Sequence, residues 1–266
     1  MSVERTRKRP FRRPHYSAGT RLALQLTAAV VIIGGWELGA RTGALAPFFY
    51  ASPAAVVDSV QRWQSEGILF PSIGTTLTEA VLGYALGAFA GVVLALWLGT
   101  TRRLGPILEP FFTALYSVPK IALVPFLILW FGLGLASKVA AAALAVVVLV
   151  FFSVYAGVRN VDPQLISQVR LFGAGRWDLY RKLYLPATFV WLVVGLRSSL
   201  GFAFSAAVVA EYLGSKQGLG YLILQGQSTL RTSDIFAGLV ITALVVVGID
   251  FLLSRLEALV AARRLA

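Results

Sequence analysis

The sequence predicts an all-α membrane protein, and two observations lead to this prediction. Hydrophobic residues make up 58% of the 266 residues and charged residues only 14%, which is too little polar surface for a water-soluble domain. Apolar runs that are long enough to cross ~30 Å of hydrocarbon as helices recur along the whole chain.

Six apolar runs, each roughly 19–26 residues long, predict about six transmembrane helices. They cover residues 22–40, 75–99, 107–131, 137–157, 187–212 and 235–255. The chain starts with the basic, polar stretch MSVERTRKRPFRR, and we expect the first run to be a retained anchor rather than a signal peptide. The chain then divides into a basic arm (1–21), a first span with an external segment (22–74), a core of five spans (75–257) and a tail (258–266).

The external segment contains an amphipathic run in which Val56, Val57, Val60 and Trp63 recur at helical spacing. This pattern predicts a short helix that lies at the membrane interface. We assign it no chemistry.

The distribution of basic residues predicts the orientation in the membrane. One side holds seventeen of them: Arg5, Arg7, Lys8, Arg9, Arg12, Arg13, Arg21, Arg102, Arg103, Arg159, Arg170, Arg176, Arg181, Lys182, Arg255, Arg263 and Arg264. The other side holds five: Arg41, Arg62, Lys138, Lys216 and Arg231. Because positive residues stay in the cytoplasm, we expect both termini and the loop between the fourth and fifth spans to be cytoplasmic.

Several classes of site are excluded by composition. The chain has no cysteine, and its one histidine, His15, lies in the polar N-terminal arm, so we predict no disulfide, no metal site and no cofactor. A net charge of +12 would suggest nucleic acid as a partner of a soluble protein. In a membrane protein it first reports orientation and contact with lipid headgroups, so we predict the lipid bilayer and no nucleic acid as a partner. Binding of nucleic acid by the basic arm is the alternative.

One charged stretch, VRLFGAGRWDLYRKLYLP at 169–186, stands out in the cytoplasmic loop between the fourth and fifth spans. It predicts two short helices joined by a glycine corner. Asp162 and Pro163 begin the first helix, Gly173 and Gly175 allow the turn, and Pro186 ends the second helix. A plain connector needs only a few polar residues, so the loop suits docking into a groove of another protein, with a helix resting on lipid headgroups as the alternative.

This stretch resembles the EAA loop of ABC importer permeases, whose pattern is E-A-A, three residues, G, nine residues, I, one residue, L-P. Gly173, Leu183, Leu185 and Pro186 fall at the matching spacings, while Ser167, Gln168 and Val169 occupy the E-A-A positions. The stretches at 117–140, 155–166, 195–223 and 234–257 are similar to the branch that serves nitrate, sulfonate, taurine and related substrates. Importers of riboflavin and thiamine precursors share this branch.

The resemblance implies a type I ABC importer permease-like fold in the plasma (cell inner) membrane, with ATP-binding subunits, an external solute-binding protein and a second permease subunit, in a homodimer, as partners. It also implies that the loop 159–186 docks on the ATP-binding subunit. The residues that it assigns to this contact are Gln168, Arg170, Gly173, Ala174, Arg176, Trp177, Tyr180, Leu183, Leu185 and Pro186.

Polar residues within the spans are candidates for the solute pathway because burying them in a membrane is costly. We select Lys120, Arg197, Ser205 and Glu211. Lys120 and Arg197 suit an anionic substrate, and the alternative for Arg197 is an ion pair that holds helices together. Glu37 and Glu79 lie near span ends, which favours structural anchoring. Asp250 lies five residues before Arg255, which favours a local pair.

Small residues run through the fifth span, from Gly195 to Ala207. They allow close helix approach, either to a second subunit or within one subunit. The stretch GSKQGLGYLI at 214–223 predicts a glycine-rich external turn.

Three function classes remain to be compared. The chain has no G-x-x-x-x-G-K-[ST] phosphate loop, so a pump would need ATP hydrolysis in a partner, and the chain itself is not predicted to be an enzyme. A self-sufficient secondary transporter would show internal repeats and a dedicated ion site. A membrane enzyme would need a nucleophile–base or metal constellation. The sequence favours the permease subunit of an ABC importer that works by alternating access.

Overall fold

The computed structural model describes residues 17–46, 48–101 and 104–264 and is helical throughout this part of the chain. Its helices are α1 (Ala18–Arg41), α2 (Pro53–Ser65), α3 (Leu69–Thr100), α4 (Leu104–Ser117), α5 (Lys120–Phe131), α6 (Leu135–Arg159), α7 (Pro163–Leu171), α8 (Arg176–Leu179), α9 (Leu185–Gly214), α10 (Leu219–Ser228) and α11 (Thr232–Arg264).

Five helical stretches among the described residues are long and apolar enough to cross a membrane, in α1, α3, α6, α9 and α11. They match five of the six predicted spans. The predicted span at 107–131 is broken into α4 and α5, which meet at 90°. The break falls at Val118 and Pro119, where a proline restricts the residue before it and cannot donate to the preceding turn.

The chain divides into two compact units at Ala55. In the first unit, the Ser17 hydroxyl caps α1 by accepting from the Thr20 N–H at 3.2 Å. Glu37 accepts from Arg41 Nε at 2.6 Å and from the Ala54 N–H at 3.2 Å, which ties the end of α1 to the segment that follows it. This is the anchoring role that the sequence predicts for Glu37.

The core of the second unit is built around α6, which packs along α3 on one side and α9 on the other. A stripe of glycines on α3 makes the first contact close: a Cβ at Gly83, Gly87 or Gly91 would lie 2.5–2.8 Å from a backbone oxygen of α6. The glycines are spaced four residues apart, so they form one smooth ridge.

The small residues of the fifth span allow an equally close helix contact on the opposite side of α6. A Cβ at Gly195 would lie 2.7 Å from the Ser153 Cβ, and Ser199, Ala203 and Ala207 are buried on the same side of α9. Packing within one subunit therefore accounts for this face. Phe202 and Ser205 are exposed on α9, and a Cβ at Gly201 would meet open space.

The short helix that the sequence predicts in this segment is present as α2, while its location at the membrane interface stays a prediction. Val56 and Trp63 are buried on its inner face, while Val57 is exposed. Arg62 on the same helix forms an ion pair with Asp234 at the start of α11.

Candidate functional site

The loop 159–186 begins with a well-capped helix, as the sequence predicts. The Asp162 carboxylate accepts from the Gln164 N–H at 2.7 Å, and Pro163 occupies the first turn of α7. Only residues 160–162 separate the end of α6 from this helix. Movement of α7 is therefore passed to α6 through a very short connection.

Gly173 closes α7 with a left-handed turn. Its φ is 83°, its N–H donates to the Arg170 carbonyl at 2.9 Å, and the Ala174 N–H donates to the Val169 carbonyl at 3.4 Å. This pair of bonds is a Schellman cap, which needs a residue that tolerates positive φ. The predicted glycine corner is thus a specific hydrogen-bonded structure.

The prediction that Pro186 ends the second helix is wrong. Arg176–Gly214 is one helical stretch of 39 residues, in which α8 passes through a π-helical turn at Tyr180–Tyr184 into α9. Proline normally disrupts a helix because it lacks an N–H and its ring crowds the carbonyl four residues earlier. Here the turn before it is widened, with the Leu185 N–H donating to the Tyr180 carbonyl, and the helix axis continues.

The corner between α7 and α8 presents large apolar side chains to the outside. Leu171 is 86% exposed, Phe172 is 91% exposed and Trp177 is 75% exposed. The sequence predicts a role in the contact for Trp177 but not for Leu171 or Phe172. Their position beside the glycine turn, at the end of a short helix, was the available signal.

The remaining residues selected on this loop fall into two groups. Gln168, Arg170, Arg176, Leu185 and Pro186 are exposed, whereas Ala174, Tyr180 and Leu183 are half-buried. The aromatic residues of the second helix are divided, because Trp177 is exposed while Tyr184 is buried in the core.

The inner side of the loop is attached to the helical core. Leu179 and Tyr184 are buried there, and the Tyr180 hydroxyl is hydrogen-bonded to the Thr100 hydroxyl at the end of α3. A cleft of about 260 Å³ lies at this junction, lined by Thr101, Arg170 and Arg176 among others. An ion pair of 2.6 Å between Lys182 Nζ and Asp178 Oδ1 bridges one turn of the second helix. The loop is therefore a firm projection of the core.

The four pathway candidates are dispersed. Lys120 begins α5, immediately after the break, where its Nζ donates to the Tyr116 carbonyl at 2.6 Å and lies 4.5 Å from the centre of the Tyr116 ring. Ser205 is exposed on α9. Lys120 is half-buried, and contact of either side chain with a solute stays a prediction.

Arg197 connects two spanning helices. Its guanidinium donates to the Ser254 hydroxyl at 2.9 Å and lies 3.5 Å from Asp250 Oδ1, both on α11. The predicted local pair of Asp250 with Arg255 is replaced by this interhelical pair, and Arg255 instead lies over the Phe251 ring. The ion-pair alternative for Arg197 is present, while its contact with solute stays a prediction.

Glu211 is fully buried, together with two further charged residues. Glu79, for which the sequence predicts structural anchoring near a span end, is only 3% exposed, and Lys138, counted with the basic residues of the outer side, is buried in α6. Their proximity could not be read from the sequence because they come from three helices. Among the described residues, no group of three or more metal-ligating side chains is gathered that could hold a metal ion.

Comparison with known proteins agrees with this architecture. A Bacillus subtilis (strain 168) protein named as an aliphatic sulfonates transport permease, SsuC, is 31% identical over 244 residues, covering 92% of this chain and 87% of the relative. The riboflavin transport system permease protein RibX of Chloroflexus aurantiacus is 31% identical over 238 residues, covering 90% of this chain and 88% of the relative.

A solved structure of an amino acid ABC transporter has the same fold. It aligns with a TM-score of 0.59 at 16% identity and covers 77% of this chain and 97% of that chain. The family described as "Binding-protein-dependent transport system inner membrane component" matches residues 83–265, which include the loop 159–186 and the helices α6 and α9 on either side of it. The chain therefore belongs to the binding-protein-dependent transport system inner membrane components, the permease subunits of ABC importers.

Proposed function

We propose that the chain forms half of a homodimeric permease for a small organic anion, with an alkanesulfonate as the first candidate, and that the loop 159–186 receives the push of the ATP-binding subunit. An ABC importer permease works with separate ATP-binding subunits and a binding protein. Because ATP is hydrolysed outside this chain, closure of the partner must reach the spans by mechanical contact. The pathway then alternates between its two openings.

The exposed apolar corner of Leu171, Phe172 and Trp177 is the observation that carries the docking role. Large side chains that are exposed together on a short, firmly attached loop have the composition of an interface hot spot. Arg170 and Arg176 are exposed beside them, so the rim of the contact is positive and suits acidic groups on the partner.

The connections of the loop suit a lever. The helix from Arg176 to Gly214 is unbroken, so a displacement at Trp177 is applied directly to α9, over roughly 58 Å at 1.5 Å per residue. On the other side, α7 is joined to α6 by three residues. One push therefore acts on the two helices that form the middle of the core.

The choice of an anion rests on two observations. One of the relatives is named for aliphatic sulfonates, and the cationic side chains of Lys120 and Arg197 lie on helices of the core. A sulfonate is a permanent anion that both lysine and arginine can bind. The relative named for riboflavin supports the alternative substrate class, which also includes thiamine precursors.

The proposal of a homodimer is based on an exposed face of α9. One side of this helix is filled by α6, whereas Phe202 and Ser205 are exposed and Gly201 has space for close approach. A second copy of the chain placed against this face would enclose a pathway between the two α9 helices.

The test is uptake into liposomes that contain the chain, its ATP-binding subunit and its binding protein. We expect ATP-driven uptake of an alkanesulfonate by the unaltered protein. Replacement of Phe172 and Trp177 together by Ala should abolish it, because hot-spot residues contribute about 2 kcal/mol each, or roughly 30-fold in affinity. Retention of the ATP-binding subunit during purification should fall in parallel.

Phe89→Ala is the matched control, since Phe89 is 72% exposed on α3, away from the loop. It should leave both uptake and retention unchanged. Full uptake by the double variant would contradict the docking role. Uptake of riboflavin in place of the sulfonate would overturn the proposed substrate class. Uptake without the ATP-binding subunit would point to a secondary transporter.

A further inference from the structure

Three charged side chains are buried together at the end of the core opposite the loop 159–186. Glu79 of α3 is 3% exposed, and Lys138 of α6 and Glu211 of α9 are both fully buried. Lys138 and Arg159 lie at opposite ends of α6, roughly 30 Å apart at helical rise. The cluster is therefore separate from the candidate docking site.

Glu211 is held as a hydrogen-bond acceptor. Its Oε1 accepts from the Thr76 hydroxyl at 2.6 Å and its Oε2 accepts from the Gly220 N–H at 2.6 Å. The latter N–H belongs to the first turn of α10, where the helix dipole favours a negative charge. Both donors stabilise Glu211 as an anion.

Glu79 is in the opposite situation. Its Oε2 is buried without a hydrogen-bond partner among the described side chains and backbone groups, yet its carboxyl group lies within hydrogen-bonding reach of the carboxyl group of Glu211. Two carboxylates cannot hydrogen-bond to each other, because both are acceptors. A bond between them requires one proton.

Lys138 supplies the only positive side chain of this cluster. Its Nζ donates to the Leu133 carbonyl and, at 2.5 Å, to the Gly214 carbonyl, and it interacts electrostatically with both carboxyl groups. With both glutamates ionised, the buried cluster would carry a net charge of −1. Such an uncompensated charge is strongly destabilising inside a protein.

We propose that this cluster is a proton-binding site, in which Glu79 carries a proton at neutral pH and donates it to Glu211. The proton makes the cluster neutral and allows the two carboxyl groups to form a hydrogen bond with each other. Glu211 stays ionised, facing Lys138, Thr76 and the first turn of α10. The site joins α3, α6, α9 and α10, and its role is to hold α10 against the core.

The glycines of the turn GSKQGLG fit this role. Gly218 has a φ of 105°, and a Cβ there would collide with the Glu211 carboxyl group. At Gly220 a Cβ would lie 2.8 Å from the Glu211 Cβ. Both glycines let the backbone of α10 reach the carboxylate. The glycine-rich turn, which the sequence predicts to be external, thus packs against the Glu211 side chain.

The proton is tested by infrared spectroscopy of the full-length purified protein at neutral pH. We expect the carbonyl stretch of a protonated carboxyl group, which Glu79→Gln removes. Glu66→Gln is the control, because Glu66 is exposed, and it should leave the band unchanged. Absence of the band from the unaltered protein, or its persistence in Glu79→Gln, would overturn the proposal.

A second measurement tests which glutamate is the anion. The chain has no cysteine, so Leu222→Cys places a single thiol on the buried side of α10, where Leu222 is 3% exposed. Labelling of this thiol requires α10 to leave the core. We expect Glu79→Gln to change the labelling rate by less than about twofold, because the amide donates to Glu211 as a protonated carboxyl group does.

Glu211→Gln should instead raise the labelling rate by about tenfold, the equivalent of one lost hydrogen bond. Thr76 and Gly220 donate to different oxygens of Glu211, and in Gln one of these positions is an NH2 group that cannot accept. Equal acceleration in the two variants, or a larger effect of Glu79→Gln, would show that Glu79 acts as an anion and would refute the assignment. Uptake is not measured in either assay, so the outcome is independent of the proposed transport function.

Discussion

At the scale of single residues, Gly173 is the position where backbone geometry most directly sets the shape of the candidate docking loop. A Cβ there would meet no neighbouring atom, so the only obstacle to another residue is its φ of 83°. A β-branched residue in this left-handed conformation costs about 1–2 kcal/mol or more. We expect Gly173→Thr to change the angle between α7 and α8 and to uncouple ATP hydrolysis from uptake, while insertion into the membrane continues.

The same substitution two residues later is the control. Gly175 has a φ of −73° and caps α8, and Thr is accepted at such a position. Gly175→Thr should keep uptake and ATPase activity coupled in the liposome assay. If Gly173→Thr were also fully coupled, the Schellman turn would have no part in transmitting the push.

The roles of single residues were predictable from the sequence to different degrees. Asp162, Pro163 and Gly173 act through local backbone geometry, so their roles follow from the neighbouring sequence, and the structure confirms the cap and the turn. The burial of Glu79 and Lys138 was not predicted because it depends on three helices that meet only in the folded chain. Sequence spacing along one helix carries no information about such a meeting.

At the scale of helices, the pattern of apolar runs located the spans but not their interruptions. Pro119 breaks a helix and Pro186 does not, although both stand in apolar surroundings. The difference lies in the turn before each proline: a π-helical turn precedes Pro186, whereas the chain before Pro119 bends by 90°. Proline alone therefore fails to predict which outcome the tertiary structure selects.

The glycine stripe of α3 gives the clearest prediction for a helix pair. A Cβ at Gly87 would lie 2.5 Å from the Ala143 carbonyl oxygen and 2.8 Å from the Val146 Cβ, so Gly87→Ala must separate α3 from α6. Overpacking of this kind costs about 1–3 kcal/mol. We expect a lower thermal unfolding midpoint for the purified protein in detergent.

Gly74 provides the comparison on the same helix, since a Cβ there would meet open space. Gly74→Ala should leave the midpoint unchanged or raise it, because Ala favours a helix over Gly by about 1 kcal/mol. Equal midpoints for the Gly87 and Gly74 variants would mean that α3 and α6 can separate without loss, contrary to their close packing.

At the scale of the whole molecule, the orientation in the membrane decides which end of the core faces the ATP-binding subunit and which faces the binding protein. The loop 159–186 follows α6 and precedes α9, whereas α10 follows α9, so the two lie at opposite ends of these spans. The excess of basic residues, seventeen against five, predicts that the loop faces the cytoplasm, where ATP is available. The burial of Lys138 removes one residue from the smaller group and strengthens this asymmetry.

Two single-atom substitutions test the orientation, because the chain has no cysteine of its own. Ser167 on α7 and Ser228 at the end of α10 are both exposed, and each becomes a unique thiol as Ser167→Cys or Ser228→Cys. In intact cells we expect a membrane-impermeant maleimide to label the thiol at 228 and to reach that at 167 only after permeabilisation. The opposite pattern would place the loop outside the cell, beyond the reach of an ATP-driven partner, and the coupling role would then be untenable.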